Sequence, residues 1–265
     1  MLLPLTALVA SRNESRLLER CLPTLAFCDE VVVIDLDSDD DTATVAEAHG
    51  ARVVRHELVP IGEWARITVA PQARHDWLLV VDPDEEVPPA LARELAKLLP
   101  TLGEGVAAVD APIQYHFRGK PLSGTPWGGP NRRRLLVRRD AVELTRRIWG
   151  GMRILPGREV VELPFTPETA IVHRWADGYR DLLAKHRRYL RLEPASRFEA
   201  GEITGYRAVA GMPWRSFRES FATKKGYRDG LDGLALSLFW AGFRTLAELR
   251  LLRKHGIRPR LRSGP

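Results

Sequence analysis

Three short apolar runs in the first third of the chain each end in a polar cluster. Leu5-Thr6-Ala7-Leu8-Val9-Ala10 leads into Ser11-Arg12-Asn13-Glu14, and Val31-Val32-Val33-Ile34 leads into Asp35-Leu36-Asp37-Ser38-Asp39-Asp40-Asp41-Thr42. Trp77-Leu78-Leu79-Val80-Val81 leads into Asp82-Pro83-Asp84-Glu85. Runs this short, rich in Val and Leu and bounded by charge or proline, predict buried strands. Between them the spacing turns helical. Leu17, Leu18, Cys21, Leu22 and Leu25 follow Ser15, and a short helix from Thr44 to His49 closes at Gly50. Ala51-Arg52-Val53-Val54 reads as the next strand. Strand, helix, strand, helix, strand implies βαβ units, hence an α/β fold with a Rossmann-like, mostly parallel sheet flanked by helices.

Polar clusters at the carboxyl ends of three such strands converge on one edge of the sheet, where open α/β sheets bind ligands. Two Asp residues one apart, Asp82 and Asp84, can offer oxygens to one hard cation, and that cation can hold a diphosphate. The alternative is a strand running into a helix start, with Asp84 or Glu85 near the cap. No G-x-G-x-x-G follows the first strand, which argues against a dinucleotide-dependent oxidoreductase.

Residues 101–172 are broken repeatedly by Gly and Pro, with short strands expected at Ala107–Val109, Leu135–Val137 and Ala170–Val172. Tyr115, Phe117, Trp127 and Trp149 are candidate ligand-stacking aromatics or core residues. From His173 the pattern becomes helical, so domains are expected at 1–172 and, as a helical C-terminal extension, 173–265. Tyr179, Leu182, Leu183, His186, Tyr189 and Leu190 mark an amphipathic helix, 194–212 a weaker one, and Leu231–Leu252 a strong one. The unbroken apolar stretch of the last, Gly233–Phe243, has 11 residues, short of the roughly 20 that cross a bilayer. With basic residues on both flanks, the segment from Lys224 to Lys254 can lie on a membrane surface, or pack internally or in a homodimer.

Charge changes the picture in the second half. Residues 1–110 carry 9 Lys and Arg against 20 Asp and Glu, which leaves 31 against 14 in the rest of the 265-residue chain. An acidic half suits a cation; a basic half suits phosphates or an anionic membrane, or is a set of solvated helix faces. No nucleic-acid motif accompanies the basic residues. Two cysteines, Cys21 and Cys28, give no disulfide framework, and with no evident signal peptide the expectation is a cytoplasmic protein, peripheral on the inner face of the cell membrane.

The segments Ala10–Glu14, Val33–Thr42 and Trp77–Glu85 together resemble the family 2 inverting glycosyltransferases of GT-A fold, most closely their lipopolysaccharide-core glucosyltransferase type. The stretch Arg132–Arg139 and the segment from Lys225-Gly226-Tyr227 to Asp232-Gly233-Leu234 resemble later parts of the same subgroup. The resemblance implies transfer of a sugar, hexose above all, from a nucleoside diphosphate donor, UDP-linked in most of the group, to a glycan or lipid-linked hydroxyl in cell-envelope polysaccharide synthesis. It implies a divalent cation, Mn²⁺ or Mg²⁺, on Asp84 with Asp82. It also implies a nucleotide-binding role for Ser11, Glu14, Asp35 and Asp82. Arg66 stands where the family often has a nucleotide-contacting Gln, and would share in neutralising the diphosphate. The family's His-Glu pair is matched best by Arg158-Glu159, so Glu159 is the expected catalytic base and Glu162 the alternative. With the His replaced, a non-catalytic scaffold that binds nucleotide or a partner protein stays open beside the transferase.

Overall fold

The computed structural model describes residues 2–146 and 151–256; Trp149, a candidate stacking aromatic, lies outside them. The described residues form two compact units, one from Met1–Tyr115 and Pro130–Arg174, the other from His116–Gly129 and the chain from Trp175 on.

In the first unit the strands are β1 (Leu3–Ser11), β2 (Cys28–Asp35), β3 (Arg52–Arg55), β4 (Trp77–Val81), β5 (Glu85–Glu86), β6 (Val106–Phe117), which ends in the second unit, and after it β7 (Lys120–Pro121) within that unit. β8 (Asn131–Arg138), β9 (Val142–Leu144), β10 (Met152–Ile154), β11 (Glu159–Glu162) and β12 (Ile171–Ala176) follow. The sheet order is β3-β2-β1-β4-β8-β6-β12-β5, with β11 and β7 on β6 and a separate β9–β10 hairpin. β3, β2, β1 and β4 are parallel, as the βαβ reading expects, but β8 runs antiparallel to both β4 and β6, so the sheet is mixed.

Strand alternation divides the core in two. Leu5, Ala7, Val9, Val33, Leu79 and Val81 pack on the helices α1 (Ser15–Cys21), α2 (Thr42–Ala48) and α4 (Pro89–Leu98). Leu8, Ala10, Val32, Ile34, Leu78 and Val80 pack on α3 (Gly62–Val69), through Ala65 and Val69. α3 starts so close to β1 that a Cβ on Gly62 would stand 2.9 Å from that of Ala10. That approach sets Arg66, one turn on, against the end of β4.

The second unit is built on α5 (Tyr179–Glu199), α6 (Tyr206–Arg218) and α7 (Gly230–Gly256), joined by a π-helical turn at Glu219–Thr223 and a 3₁₀ turn at Gly226–Asp229. Its heart is aromatic: Trp127 stacks on Trp175 with ring centroids 4.2 Å apart, and His186, Trp240 and Phe239 close around them. The Gly226–Gly233 segment has a structural explanation. Asp229 accepts hydrogen bonds from the Ser123 and Gly124 amides at 2.7 and 2.8 Å, and Gly233 lies against the Gly226 carbonyl, leaving no room for a Cβ. Trp127 therefore serves packing, as does Phe117, which is buried against Trp175 and Tyr179. No helix among the described residues is long and apolar enough to cross a membrane.

Candidate functional site

The polar ends of β1, β2 and β4 meet as the alternation requires. Ser11 pairs in register with Asp35, and both are buried. Asp35 accepts a hydrogen bond from the Ser38 amide at 3.2 Å, which turns the chain after β2. Asn13 and Asp37 adopt the left-handed region at φ 55° and 57°, a conformation that Asn and Asp tolerate best among residues with a Cβ. The two loops are cross-linked: the Asn13 amide donates to Ser38 and the Asn13 side chain accepts from the Asp39 amide, at 3.0 and 2.9 Å. Asp40 takes the Ser15 and Thr42 amides. Desolvation opposes its ionisation, but hydrogen bonds from Thr42 and Ser15 outweigh this and hold the carboxyl at about 2. The acidic run after β2 thus serves partly to fasten its loop. Glu14, on the same rim, accepts from the Ser11 hydroxyl at 3.3 Å.

The segment after β4 is not a helix cap. Glu85 and Glu86 form β5, antiparallel to β12, with His173 opposite Glu85 and Val172 opposite Glu86; the next helix begins only at Pro89. Asp82 is clamped by two arginines. Arg66, itself buried, donates to its Oδ1 and, at 3.0 Å, to the Val81 carbonyl. Arg133 reaches Asp82 Oδ2 at 3.5 Å, the Val80 carbonyl at 3.1 Å and the buried Glu85. Desolvation raises the Asp82 carboxyl, yet the two guanidinium groups outweigh it and hold it well below the carboxylate range. Glu85 goes the other way: burial pushes it up and Arg133 offsets this only in part. Arg133 in turn rises, its own desolvation outweighed by Glu85 and Asp82.

Asp84 points elsewhere. Its Oδ2 lies 3.2 Å from His173 Nε2, and both side chains are largely but not wholly covered. The Tyr115 ring lies on His173 with centroids 4.7 Å apart, and burial pushes the Tyr115 phenol up to about 12. Among the described residues no set of three or more His, Cys, Asp or Glu side chains is gathered to hold a metal by itself. One carboxylate and one imidazole nevertheless suit a cation such as Mn²⁺, with its other positions left to phosphate and water oxygens. Beside the arginines is a cavity of about 290 Å³, floored by Leu8, Leu78 and Val80 and edged by Arg66, Arg133 and Glu63.

Ser11, Glu14, Asp35, Arg66, Asp82 and Asp84 thus all lie at strand ends or on the helix packed there. Glu159 and Glu162 do not join them. Both are exposed on β11, where Glu159 pairs with Val106 at the start of β6, about nine residues, or some 30 Å, along the strand from Tyr115. Glu162 lies level with Asp110 and 3.6 Å from Arg132. The sequence reading missed Arg133 and His173. A buried Glu85 beside the half-buried Asp82 demands counter-charge, and the Arg run at 132–134 was the place to seek it. A lone His in Ile171-Val172-His173-Arg174 carries no such signal.

A family model described as Glycosyl transferase family 2 matches residues 6–151. The lipopolysaccharide core biosynthesis glycosyltransferase LpsC of Rhizobium meliloti is 24% identical over 269 residues, covering 97% of this chain and 95% of that protein. An uncharacterized glycosyltransferase of Rickettsia bellii is 32% identical over 93 residues, covering 34% of this chain and 31% of its own. Among solved structures, glucosyl-3-phosphoglycerate synthase from Mycobacterium tuberculosis in complex with phosphoglyceric acid aligns with a TM-score of 0.51 at 19% identity, over 76% of this chain and 81% of that one. That likeness speaks for the fold alone.

Proposed function

From the premise that this chain belongs to glycosyl transferase family 2 and has the GT-A fold, we propose that it is an inverting hexosyltransferase acting in cell-envelope polysaccharide synthesis. The proposed donor is a UDP-linked sugar and the acceptor a hydroxyl of a glycan or lipid-linked glycan. The observation that carries this reading is the sorting of charge after β4, with Asp82 clamped by Arg66 and Arg133 and Asp84 turned to His173. The near full-length likeness to a lipopolysaccharide core glycosyltransferase supports the choice of pathway class.

In this reading Asp35 accepts a hydrogen bond from the uracil ring, and Ser11 and Glu14 border the nucleoside. Arg66 and Arg133 face the diphosphate; Arg66 Nε is buried without a hydrogen-bond partner among the described residues and is free to donate. Asp84 and His173 would hold a divalent cation, and such a cation supplies charge neutralisation for the departing diphosphate. The acceptor hydroxyl must lose its proton as it attacks the anomeric carbon from the face opposite the diphosphate. The base is not part of the strand-end cluster; of the two candidates on β11, Glu162 lies the nearer to it, level with Asp110 where Glu159 is level with Val106. The chain works, in this reading, peripherally on the anionic inner face of the cell membrane.

The engagement of Glu162 by Arg132 favours one second reading, a scaffold that binds nucleotide without transferring sugar. A hydrolysis screen of nucleotide sugars with Mn²⁺ and Mg²⁺ separates the two. Slow release of one nucleoside diphosphate is expected; binding of UDP with no release from any donor contradicts the transferase.

A further inference from the structure

α6 and the turns after it carry an aromatic ladder whose ends are exposed and whose middle rungs, Phe217 and Phe221, are half-buried. Trp214 and Phe217 lie with ring centroids 6.4 Å apart, Phe217 and Phe221 5.3 Å apart, and Phe221 and Tyr227 6.3 Å apart. Trp214 is 69% exposed, Tyr227 53%, and Tyr206 at the start of the helix 83%. The inner side of α6 is satisfied by the buried Met212 and Ser216, so the ladder is not a displaced core face. At helical spacing Arg207, Trp214 and Arg218 fall in one stripe, and both arginines are exposed. Between Tyr206 and Arg228 there are six basic residues, Arg207, Arg215, Arg218, Lys224, Lys225 and Arg228, and one acidic residue, Glu219.

We infer that this aromatic, basic face of α6 is the surface that docks the chain on an anionic bilayer. The inference rests on the peripheral-membrane reading above and assigns it to an element. Rings with an apolar body and a polar edge favour the headgroup region, and lysines and arginines among them are drawn to anionic lipid. α7, the apolar segment that the sequence brings forward for this role, spends much of its length inward: Leu236, Ala241, Phe243, Ala247 and Leu251 are buried. Two of its arginines are tied down, Arg244 over the Trp240 ring and Arg250 on the Leu190 carbonyl. Leu231, Leu238 and Leu246 on its outer side are exposed and carry no aromatic ring, with the exposed Arg253 two turns further on.

The test is flotation of the full chain with vesicles of phosphatidylcholine alone and with phosphatidylglycerol added, at low and high salt. Tyr206→Ser/Trp214→Ser and Arg207→Glu/Lys224→Glu change only exposed side chains; circular dichroism verifies their fold. Partition of the unaltered chain onto anionic vesicles should exceed that onto neutral ones. Each double variant should lower anionic binding by about tenfold or more, and salt should weaken the unaltered chain more than the charge-reversed one. No binding of the unaltered chain to anionic vesicles defeats the peripheral reading and this inference together. Binding that survives both double variants but is lost in Leu231→Ser/Leu238→Ser leaves the peripheral reading standing and overturns the assignment to α6. A change of oligomeric state in Tyr206→Ser/Trp214→Ser, with vesicle binding unchanged, would make the ladder a contact between copies and also overturn it.

Discussion

Arg66, Arg133 and Glu85 in the first unit, with the half-exposed Asp82 that they surround, and His186 in the second are titratable groups drawn largely out of water, and their surroundings are opposite. The first four balance one another at the end of β4, with charge facing charge over hydrogen-bonding distances. His186 is ringed by Trp127, Trp175, Tyr189, Phe239 and Phe243, and its Nδ1 makes a 2.9 Å hydrogen bond to the Leu182 carbonyl. Burial lowers it to about 4, with Lys185 adding to the effect and the Leu182 hydrogen bond opposing it. A cluster of ions kept at a strand end costs desolvation, which a fold needing only packing would avoid. An imidazole kept neutral among rings is packing. Burial of titratable groups thus leaves balanced ions at the end of β4 and a neutral packing group at His186.

The sharpest way to break the contrast is to remove one ion. Arg133→Ala leaves Asp82 and Glu85 facing each other with less counter-charge, and should destabilise the fold by about 3–5 kcal/mol in chemical denaturation. Arg133→Met, of similar length, should cost nearly as much; a loss under about 1 kcal/mol in both would show the cluster to be solvated.

His186 should respond to pH instead. Its folded value lies below the ordinary 6.5, so the stability it confers is fully present above about 6.5 and is lost as pH falls toward 4. The loss across that window is on the order of 3 kcal/mol. His186→Phe should flatten this limb of the curve. An unchanged slope would place the acid sensitivity in the carboxylates.

Smaller again is the effect at the nucleotide. Asp35→Ala should weaken UDP binding by about 1–3 kcal/mol, the loss of a hydrogen bond to a charged group. Calorimetry with unchanged affinity in the folded variant would remove Asp35 from the site. The smallest expected effect is at Glu159: Glu159→Gln should leave turnover within about twofold, as its distance from Tyr115 implies, whereas Glu162→Gln should lower it by about 10²-fold or more as the base. The reverse result would restore Glu159.

What the sequence made legible follows from these physical differences. Strands β1, β2 and β4 are buried on both faces over their last residues, so each closes in an apolar run stopped by a polar residue, and Ser11, Asp35 and Asp82 were found there. β6 was expected at Ala107–Val109 yet continues to Phe117. Pro112, Gln114 and His116 interrupt its pattern, and the strand holds because β8 supplies its partners. The weak helix expected at 194–212 is two elements, the end of α5 carried through Pro194 and the start of α6. Arg133 and His173 reach the site only through strand pairings, β8 on β4 and β12 on β5, and long-range pairing leaves no local trace.

On the proposed reading Asp84, apart from the arginine-clamped Asp82, holds the cation that engages the donor diphosphate. Titration calorimetry of UDP against the full chain and Asp84→Asn, each with and without Mn²⁺, tests it most directly. Mn²⁺ should tighten UDP binding by about tenfold or more in the unaltered chain and have no effect in Asp84→Asn, while cation-free affinity stays the same in both. An equal Mn²⁺ response in the two proteins would contradict it.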